Sequence, residues 1–370
     1  MTEPYRICSR CVMDTSDPDI TFDEAGVCNH CRDFETRQRR KIYTGEEAQR
    51  LLDASVREIQ AAGVGKEYDS IIGLSGGIDS SYLALQAKRL GLRPLAVHFD
   101  NGWNSQLSVK NIENIVKKLG FDLYTYVIDW EEFRDLQVSF FKASVIDIEL
   151  LTDNAIFSSL YRIARERNVH YLLNGQNMAT ESVMPKAWVH LKSDLKNIRA
   201  IQKRFGTRKI RSFPTIGCWQ QLYYQKTGLL KPVCLLDYLP YNKDAAMKTL
   251  EDELGWKYYG GKHYESTFTK FYQAYVLPVK FGVDKRRAHF SSLICSGQMT
   301  RSAAMAALEQ ELYPEDELRR DRDYVLKKLG LTEREFTDIM NLPVQSHLAY
   351  PSSQPAYEFL ERAFRRFKPR

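Results

Sequence analysis

Between residue 68 and about residue 180 the apolar positions alternate between two rhythms. Short continuous apolar runs at Ile71 to Leu74, Leu95 to Phe99, Leu123 to Val127 and Tyr171 to Leu173 predict strands. The stretches between them have ordinary helix length, and in the first of these Leu83, Ala84, Ala87 and Leu90 recur at helical spacing. Such alternation predicts an α/β fold, a Rossmann-like parallel sheet with helices on both faces that receives ligands beyond the carboxyl ends of its strands. Upstream, Thr44-Gly45-Glu46-Glu47 has the pattern of a capping box, and Leu51, Leu52, Val56 and Ile59 predict an amphipathic helix behind it. After about residue 185 the pattern becomes basic, aromatic and helical. Helices are expected over Asn242 to Gly255, Arg301 to Leu312, Glu315 to Leu329, Thr332 to Asn341 and Pro355 to Phe367, with a second capping box at Thr332 and Glu335. Three units follow from these changes: residues 1–43, 44–190 and 191–370, the last a mainly helical lobe that binds substrate or a partner.

Composition narrows this picture only modestly. Hydrophobic residues at 44% and charged residues at 27% of 370 describe a globular protein, and no apolar run approaches a membrane span of about 20 residues. The first residues lack the apolar core of a signal peptide, so a cytoplasmic location without membrane insertion is expected. A net charge of +6 suits a polyphosphate, a nucleotide-sugar or an RNA equally well. Seven cysteines, an odd number, argue against a disulfide framework and for metal or thiol chemistry.

The densest chemistry lies where the first strand meets its helix, at Leu74-Ser75-Gly76-Gly77-Ile78-Asp79-Ser80-Ser81. A helix N-terminus offers unpaired N–H groups and the positive end of its dipole, and adjacent glycines let phosphate oxygens approach the backbone. Ser75, Ser80 and Ser81 add hydroxyl donors. A Walker loop would carry a lysine after its second glycine, whereas Asp79 stands here at the helix start. An acid beside phosphate implies an intervening Mg²⁺. The run SGGxDS after a buried strand resembles the pyrophosphatase loop of adenylating enzymes, which implies ATP cleaved between its α and β phosphates. A second loop, Gly175 to Ser182, resembles the other signature of such enzymes, and makes Gly175 a nucleotide contact and Glu181 a Mg²⁺ ligand opposite Asp79. The loop lacks the family's paired Asp, and an acid in the first turn of a helix is the competing reading of Glu181. Asp100, in Asp100-Asn101-Gly102 at the end of the second strand, is a candidate contact to adenine or ribose, or a plain turn residue.

Cys8-x2-Cys11 and Cys28-x2-Cys31, sixteen residues apart, have the spacing of a four-cysteine zinc site. Four thiolates leave no open position, so the metal is expected to be structural; a redox dithiol and an iron–sulfur centre are the rivals. Farther on, Gly261 to Glu265 and Lys280 to His289 concentrate cations. Lys285, Arg286 and Arg287 are candidates to grip a diphosphate or leaving pyrophosphate, against the alternative of a solvated basic surface. Cys218, Cys234 and Cys295 have no pair spacing and read as structural thiols.

Taken together, the double CxxC, SGGIDSS, NGQNMATES and the long segment from Gly260 to Arg301 resemble the N-acetyl sugar amidotransferases of bacterial surface-polysaccharide synthesis, such as those forming acetamidino-mannuronate and acetamidino pseudaminic acid. The resemblance implies a pyrophosphatase-loop ATPase fold and a reaction in which ATP adenylylates the acetamido oxygen of a nucleotide-activated sugar, and ammonia then displaces AMP. It implies ATP, Mg²⁺ and structural Zn²⁺ as cofactors, with Asp79, Lys285 and Arg286 in catalysis. No cysteine follows the initiator Met and no glycine-flanked nucleophile elbow is evident, so ammonia is expected from glutaminase and cyclase-like partners resembling those of histidine biosynthesis. A tRNA thiolase, which also joins cysteine knuckles to such a loop, is the main alternative; it needs a sulfur-carrying cysteine pair or an iron–sulfur cluster, and Cys218, Cys234 and Cys295 have no pair spacing. A non-enzymatic ATP-binding regulator is a further alternative, and nucleic acid is not an expected partner.

Overall fold

The computed structural model describes residues 4–261 and 264–367. Its centre is a five-stranded parallel sheet: β1 (Ser70–Gly73), β2 (Pro94–Asp100), β3 (Leu123–Val127), β4 (Tyr171–Leu173) and β5 (Lys231–Val233), in the order β3-β2-β1-β4-β5. Parallel strands buried on both faces need apolar side chains at consecutive positions, and β1 shows why the run has to be continuous. Ile71 packs on one face with Leu95, Val97, Leu160 and Ile163, whereas Ile72 packs on the other with Leu83, Ala96, Ile112 and Leu250. Both isoleucines are fully buried, each contributing roughly 1.5–3 kcal/mol through its removal from water. Leu95 and Ala96, and then Leu172 and Leu173, divide between the same two cores. Helices Gly45–Ala62, Ile78–Arg89, Gln106–Leu119 and Lys243–Leu254 supply the second core, and helix Leu150–Glu166 supplies the first.

The order of the strands fixes where a ligand can enter. From β1 the chain moves outward through β2 to β3, then returns to place β4 on the opposite side of β1. Loops leaving β1 and β4 therefore diverge and open a crevice at their carboxyl ends. β3 lies at the edge, with Leu123 and Val127 exposed. The fifth strand comes from beyond residue 190, so the sheet draws on a segment that the apolar pattern assigns to the helical lobe; three residues containing Pro232 carry too little periodicity to be seen.

All five helices expected beyond residue 185 are present, as Lys243–Leu254, Arg301–Glu309, Glu315–Leu329, Glu333–Asn341 and Gln354–Phe367. Asn242 caps its helix by accepting from Ala245 N, and Gly255 closes it at φ +62°. The two expected capping boxes differ. At Thr332 both reciprocal bonds form with Glu335, but the Thr44 side chain makes no cap hydrogen bond even though it sits at the N-cap. The residue after Thr44 is Gly45 at φ +63°, which turns the first helical position out of the geometry a capping box needs.

A third core joins the two ends of the chain. Cys8, Cys11, Cys28 and Cys31 are all fully buried and belong to one cluster with Trp103, Phe133, Phe268, Phe271 and Phe336. The cysteine segment is thus docked against the helices that follow residue 264. No helix among the described residues is long and apolar enough to cross a membrane.

Candidate functional site

The loop after β1 is shaped by contacts that only glycine permits. Gly76 sits at φ +81°, and a Cβ there would lie 2.8 Å from Ser108 O. Its own carbonyl accepts from the Trp256 indole N–H at 2.9 Å. Ser75 Oγ accepts from Gly77 N at 3.2 Å and lies 3.1 Å from Ser80 Oγ, so two hydroxyls knit the turn to the first helical turn. Gly77 is the N-cap of helix Ile78–Arg89. The loop after β4 meets this helix start closely: a Cβ on Gly175 would stand 3.4 Å from Ser80 N.

Between the two loops lies a cavity of about 170 Å³. Ser75, Gly77, Asp79 and Ser80 line one wall, and Gly175, Thr180 and Glu181 line the facing one. The structure thereby brings together most residues expected to hold phosphate and metal. Asp79 is held by side chains far away in sequence: its Oδ1 accepts from the Tyr241 hydroxyl and from Asn177 Nδ2, the latter at 3.2 Å. Asn177 meanwhile uses its Oδ1 to cap helix Met178–Glu181 through Thr180 N at 2.9 Å. Burial, and next the Asp79 charge, push the Tyr241 phenol well above its ordinary value; burial followed by Glu265 and Asp79 does the same to Tyr259. Both phenols are donors at neutral pH.

The remaining lining includes Lys243 and Tyr259, which the sequence pattern did not single out, and Glu265 and His289, the last residues of the two cation-rich stretches. Lys243 Nζ stands 3.3 Å from His289 Nε2, and His289 Nδ1 stands 3.3 Å from Thr180 O. Lys243 is the first residue of a helix that Asn242 caps, which is the only local signal it carries. Lys262 and His263, part of the cation-rich stretch noted in the sequence, lie outside the described residues.

Six of the expected contacts do not line the cavity, among them Gly76, whose place in the turn is given above. Ser81 is fully buried within the helix, and its Oγ finds no partner among the described residues. Asp100 Oδ1 accepts from Gly102 N at 2.8 Å and Asn104 Nδ2 at 3.2 Å, which is the plain turn role. Lys285 pairs with Glu149 at 2.6 Å. Burial alone would raise the Glu149 carboxyl, and the Lys285 charge overrides it and holds the group below the usual glutamate range. Arg286 binds Asp284 at 2.9 Å and caps the end of helix Arg301–Glu309 through the carbonyls of Ala307, Leu308 and Gln310. Arg287 pairs with Asp14 at 2.9 Å. Internal carboxylates and carbonyls take up all three cations, and none of them lines the cavity; the basic side chains that do line it are Lys243 and His289.

Asp79 and Glu181 suit Mg²⁺ in the usual way, as one or two carboxylates completed by phosphate oxygens and water. They form no three-ligand cluster with a third acid; among the described residues that convergence occurs only at Cys8, Cys11, Cys28 and Cys31, whose sulfurs all lie within 4.8 Å of one another. The Cys8–Cys31 and Cys11–Cys28 separations of 4.0 and 3.6 Å match the edge of about 3.8 Å expected for tetrahedral zinc with Zn–S near 2.3 Å. Backbone N–H groups of Arg10, Cys11 and Cys28 point at Cys8 Sγ, which favours thiolate. Crowding divides the thiols: contacts from Cys28 and then Cys31 lower Cys11 to about 7, whereas Cys31 is pushed up, first by Cys11. A central cation removes that conflict, so the donor set fits zinc. Cys295, which has no pair in sequence, proves to lie 3.9 Å from Cys31 Sγ. Cys234 and Cys218 stay apart from the cluster, and burial raises both thiols, Cys234 to about 11.

A glycine turn running into a helix N-terminus, faced by a second acid-bearing loop where the strand order reverses, is the geometry of an α/β protein that receives a ligand beyond the carboxyl ends of its strands. Residues 265–364 match the family described as LPS biosynthesis protein WbpG-like, C-terminal domain. This match begins at Glu265, on the cavity wall, and supports the resemblance to the sugar amidotransferases. Among solved structures, the chain is similar to NMN synthetase from Francisella tularensis, with a TM-score of 0.33 and 16% identity over 78% of this chain and 98% of that one. It is also similar to NH3-dependent NAD synthetase from Campylobacter jejuni subsp. jejuni NCTC 11168 in complex with the nitrate ion, with a TM-score of 0.30 and 16% identity over 56% of this chain and 93% of that one. No curated protein matches the chain significantly.

Proposed function

We propose that the chain is an ATP-dependent amidotransferase of surface-glycan synthesis that converts an acetamido group of a nucleotide-activated sugar to an acetamidino group. The observation that carries this reading is the shared cavity: Asp79 and Glu181 of the two loops line it together with Glu265 and His289, which belong to the WbpG-like segment. A polyphosphate site and the segment that matches a lipopolysaccharide family thus meet at one place.

The chemistry follows from what an amide lacks. Its oxygen is a poor leaving group, and transfer of AMP to that oxygen makes it a good one. The amide oxygen attacks the α-phosphorus, the bond to the β-phosphate oxygen breaks, and pyrophosphate departs. Ammonia then adds to the imidate carbon, the carbon–oxygen bond breaks, and AMP leaves with the former amide oxygen. The N–H groups of the Ser75–Ser80 turn and helix start would bind the phosphates, with Lys243 as a further cation. Asp79 and Glu181 would hold Mg²⁺, which when bound offsets charge on the departing pyrophosphate. Tyr241 and Asn177 fix the Asp79 carboxylate in place. Ammonia would come from glutaminase and cyclase-like partners. The test is to supply a sugar whose acetamido oxygen carries a heavy-oxygen label. The label should appear in AMP; AMP formed without it would contradict adenylylation of the amide.

A further inference from the structure

Helix Arg286–Cys295 is built with two working faces. Arg287, Ser291 and Cys295 are spaced four apart and so form one stripe. Every member touches the cysteine segment: Arg287 donates to Val12 O at 2.9 Å and pairs with Asp14, Ser291 Oγ accepts from Val12 N at 3.3 Å, and Cys295 Sγ stands 3.9 Å from Cys31 Sγ. His289 and Ser292, with Ser296 just beyond the helix, form the other stripe. His289 stands 3.3 Å from Thr180 O, Ser292 Oγ accepts from Val183 N at 3.0 Å, and Ser296 Oγ donates to Ala179 O at 2.7 Å. These three partners bracket Glu181 on both sides. The turn after the helix adds Gln298, which accepts from Lys243 N at 3.1 Å and donates to Tyr241 O at 3.1 Å. One short rod therefore touches the thiol centre on one side and the backbone that carries Glu181, Lys243 and Tyr241 on the other.

Ser291 and Ser292 are both fully buried. Two adjacent buried hydroxyls are costly unless each is satisfied, and here each spends its bond on a different neighbour, one the cysteine segment and one the Glu181 loop. A short segment with four central cysteines depends on metal to fix its backbone, so metal loss would free the helix on one side only.

We infer that helix Arg286–Cys295 and Gln298 couple the four-thiol centre to the nucleotide cavity, so that metal at the thiols and nucleotide between Asp79 and Glu181 strengthen each other's binding. The inference rests on the nucleotide reading proposed above. Coupling between two sites is reciprocal: whatever factor zinc adds to nucleotide affinity, nucleotide adds to zinc affinity.

The test measures ATP affinity by calorimetry, in the presence of Mg²⁺, on zinc-loaded and zinc-stripped full chain, and zinc affinity by competition with a chromophoric chelator with and without ATP. Both ratios should agree and be at least about fivefold. A second variant guards against simple unfolding of the stripped protein: Ser291→Ala with Cys295→Ala removes knuckle-side contacts and alters no cavity residue. It should remain folded by circular dichroism and hold stoichiometric zinc, yet bind ATP several-fold more weakly than the parent. ATP binding equally well to loaded and stripped chain, or undiminished in the zinc-loaded double variant, overturns the coupling alone. Failure of the zinc-loaded parent to bind ATP overturns the nucleotide reading and the coupling with it.

Discussion

Gly76 has both a positive φ and a neighbour in the way of any side chain, and the two costs compound. Gly76→Ala would place a Cβ 2.8 Å from a backbone carbonyl at φ +81°, so a loss of roughly 1–3 kcal/mol and a weaker hold on nucleotide are expected, read by thermal melting and calorimetry. Asp237 offers a test of opposite sign. Burial pushes its carboxyl up to about 6, against the N–H bond it receives from Met178. An acid whose folded value exceeds its unfolded value of about 3.9 binds more protons when folded, so its contribution to stability falls as pH rises from about 4 to about 6. Asp237→Asn keeps an acceptor for Met178 N, and should flatten that slope and raise stability at neutral pH by roughly 1–2 kcal/mol; denaturant midpoints across the range check it. Residues were legible in the sequence where their partners lie close by, as with the paired cysteines and Ser75 to Ser80. Tyr241 reaches Asp79 across 162 positions, and Lys243 reaches His289 across 46, so nothing in the local pattern marks either. The pairing of Lys285 and Arg287 was hidden for the same reason: the acids that neutralise them are remote in sequence.

Among elements, the two Thr-x-x-Glu motifs separate pattern from structure. Thr332→Ala removes a formed cap and should cost about 1 kcal/mol, whereas Thr44→Ala removes none and should stay within about 0.5 kcal/mol, as paired denaturant curves would show. The segment after helix Lys243–Leu254 lies across the loop after β1, with Trp256 pinned to Gly76 O and Ser105 N bound to Glu265 O at 2.8 Å. Trp256→Phe leaves that buried carbonyl unpaired, so a loss of about 1–3 kcal/mol is expected. If stability were unchanged, the indole bond would have no part in holding the loop. β3 and β4 begin and end where the expected runs do. β5 was not legible: its place depends on pairing with β4 and on no pattern of its own.

For the whole molecule, the sequence showed the sheet and the mainly helical lobe, but not that the chain's first cysteines and its helices beyond residue 264 share one core. Such docking depends on shape and burial summed over distant segments, which periodicity does not encode. It places the thiol centre against the WbpG-like segment, whose Glu265 and His289 line the cavity between the two loops, and the proposed reaction needs that cavity and that segment together. The most direct measurement supplies the chain with ATP, Mg²⁺ and ammonium and a panel of nucleotide-linked acetamido sugars, and follows AMP and product mass together. The account predicts AMP formed in step with a product lighter than its substrate by the difference between O and NH, abolished by Asp79→Asn. AMP released with every sugar left unchanged in mass, or a mass change with no AMP, would contradict it.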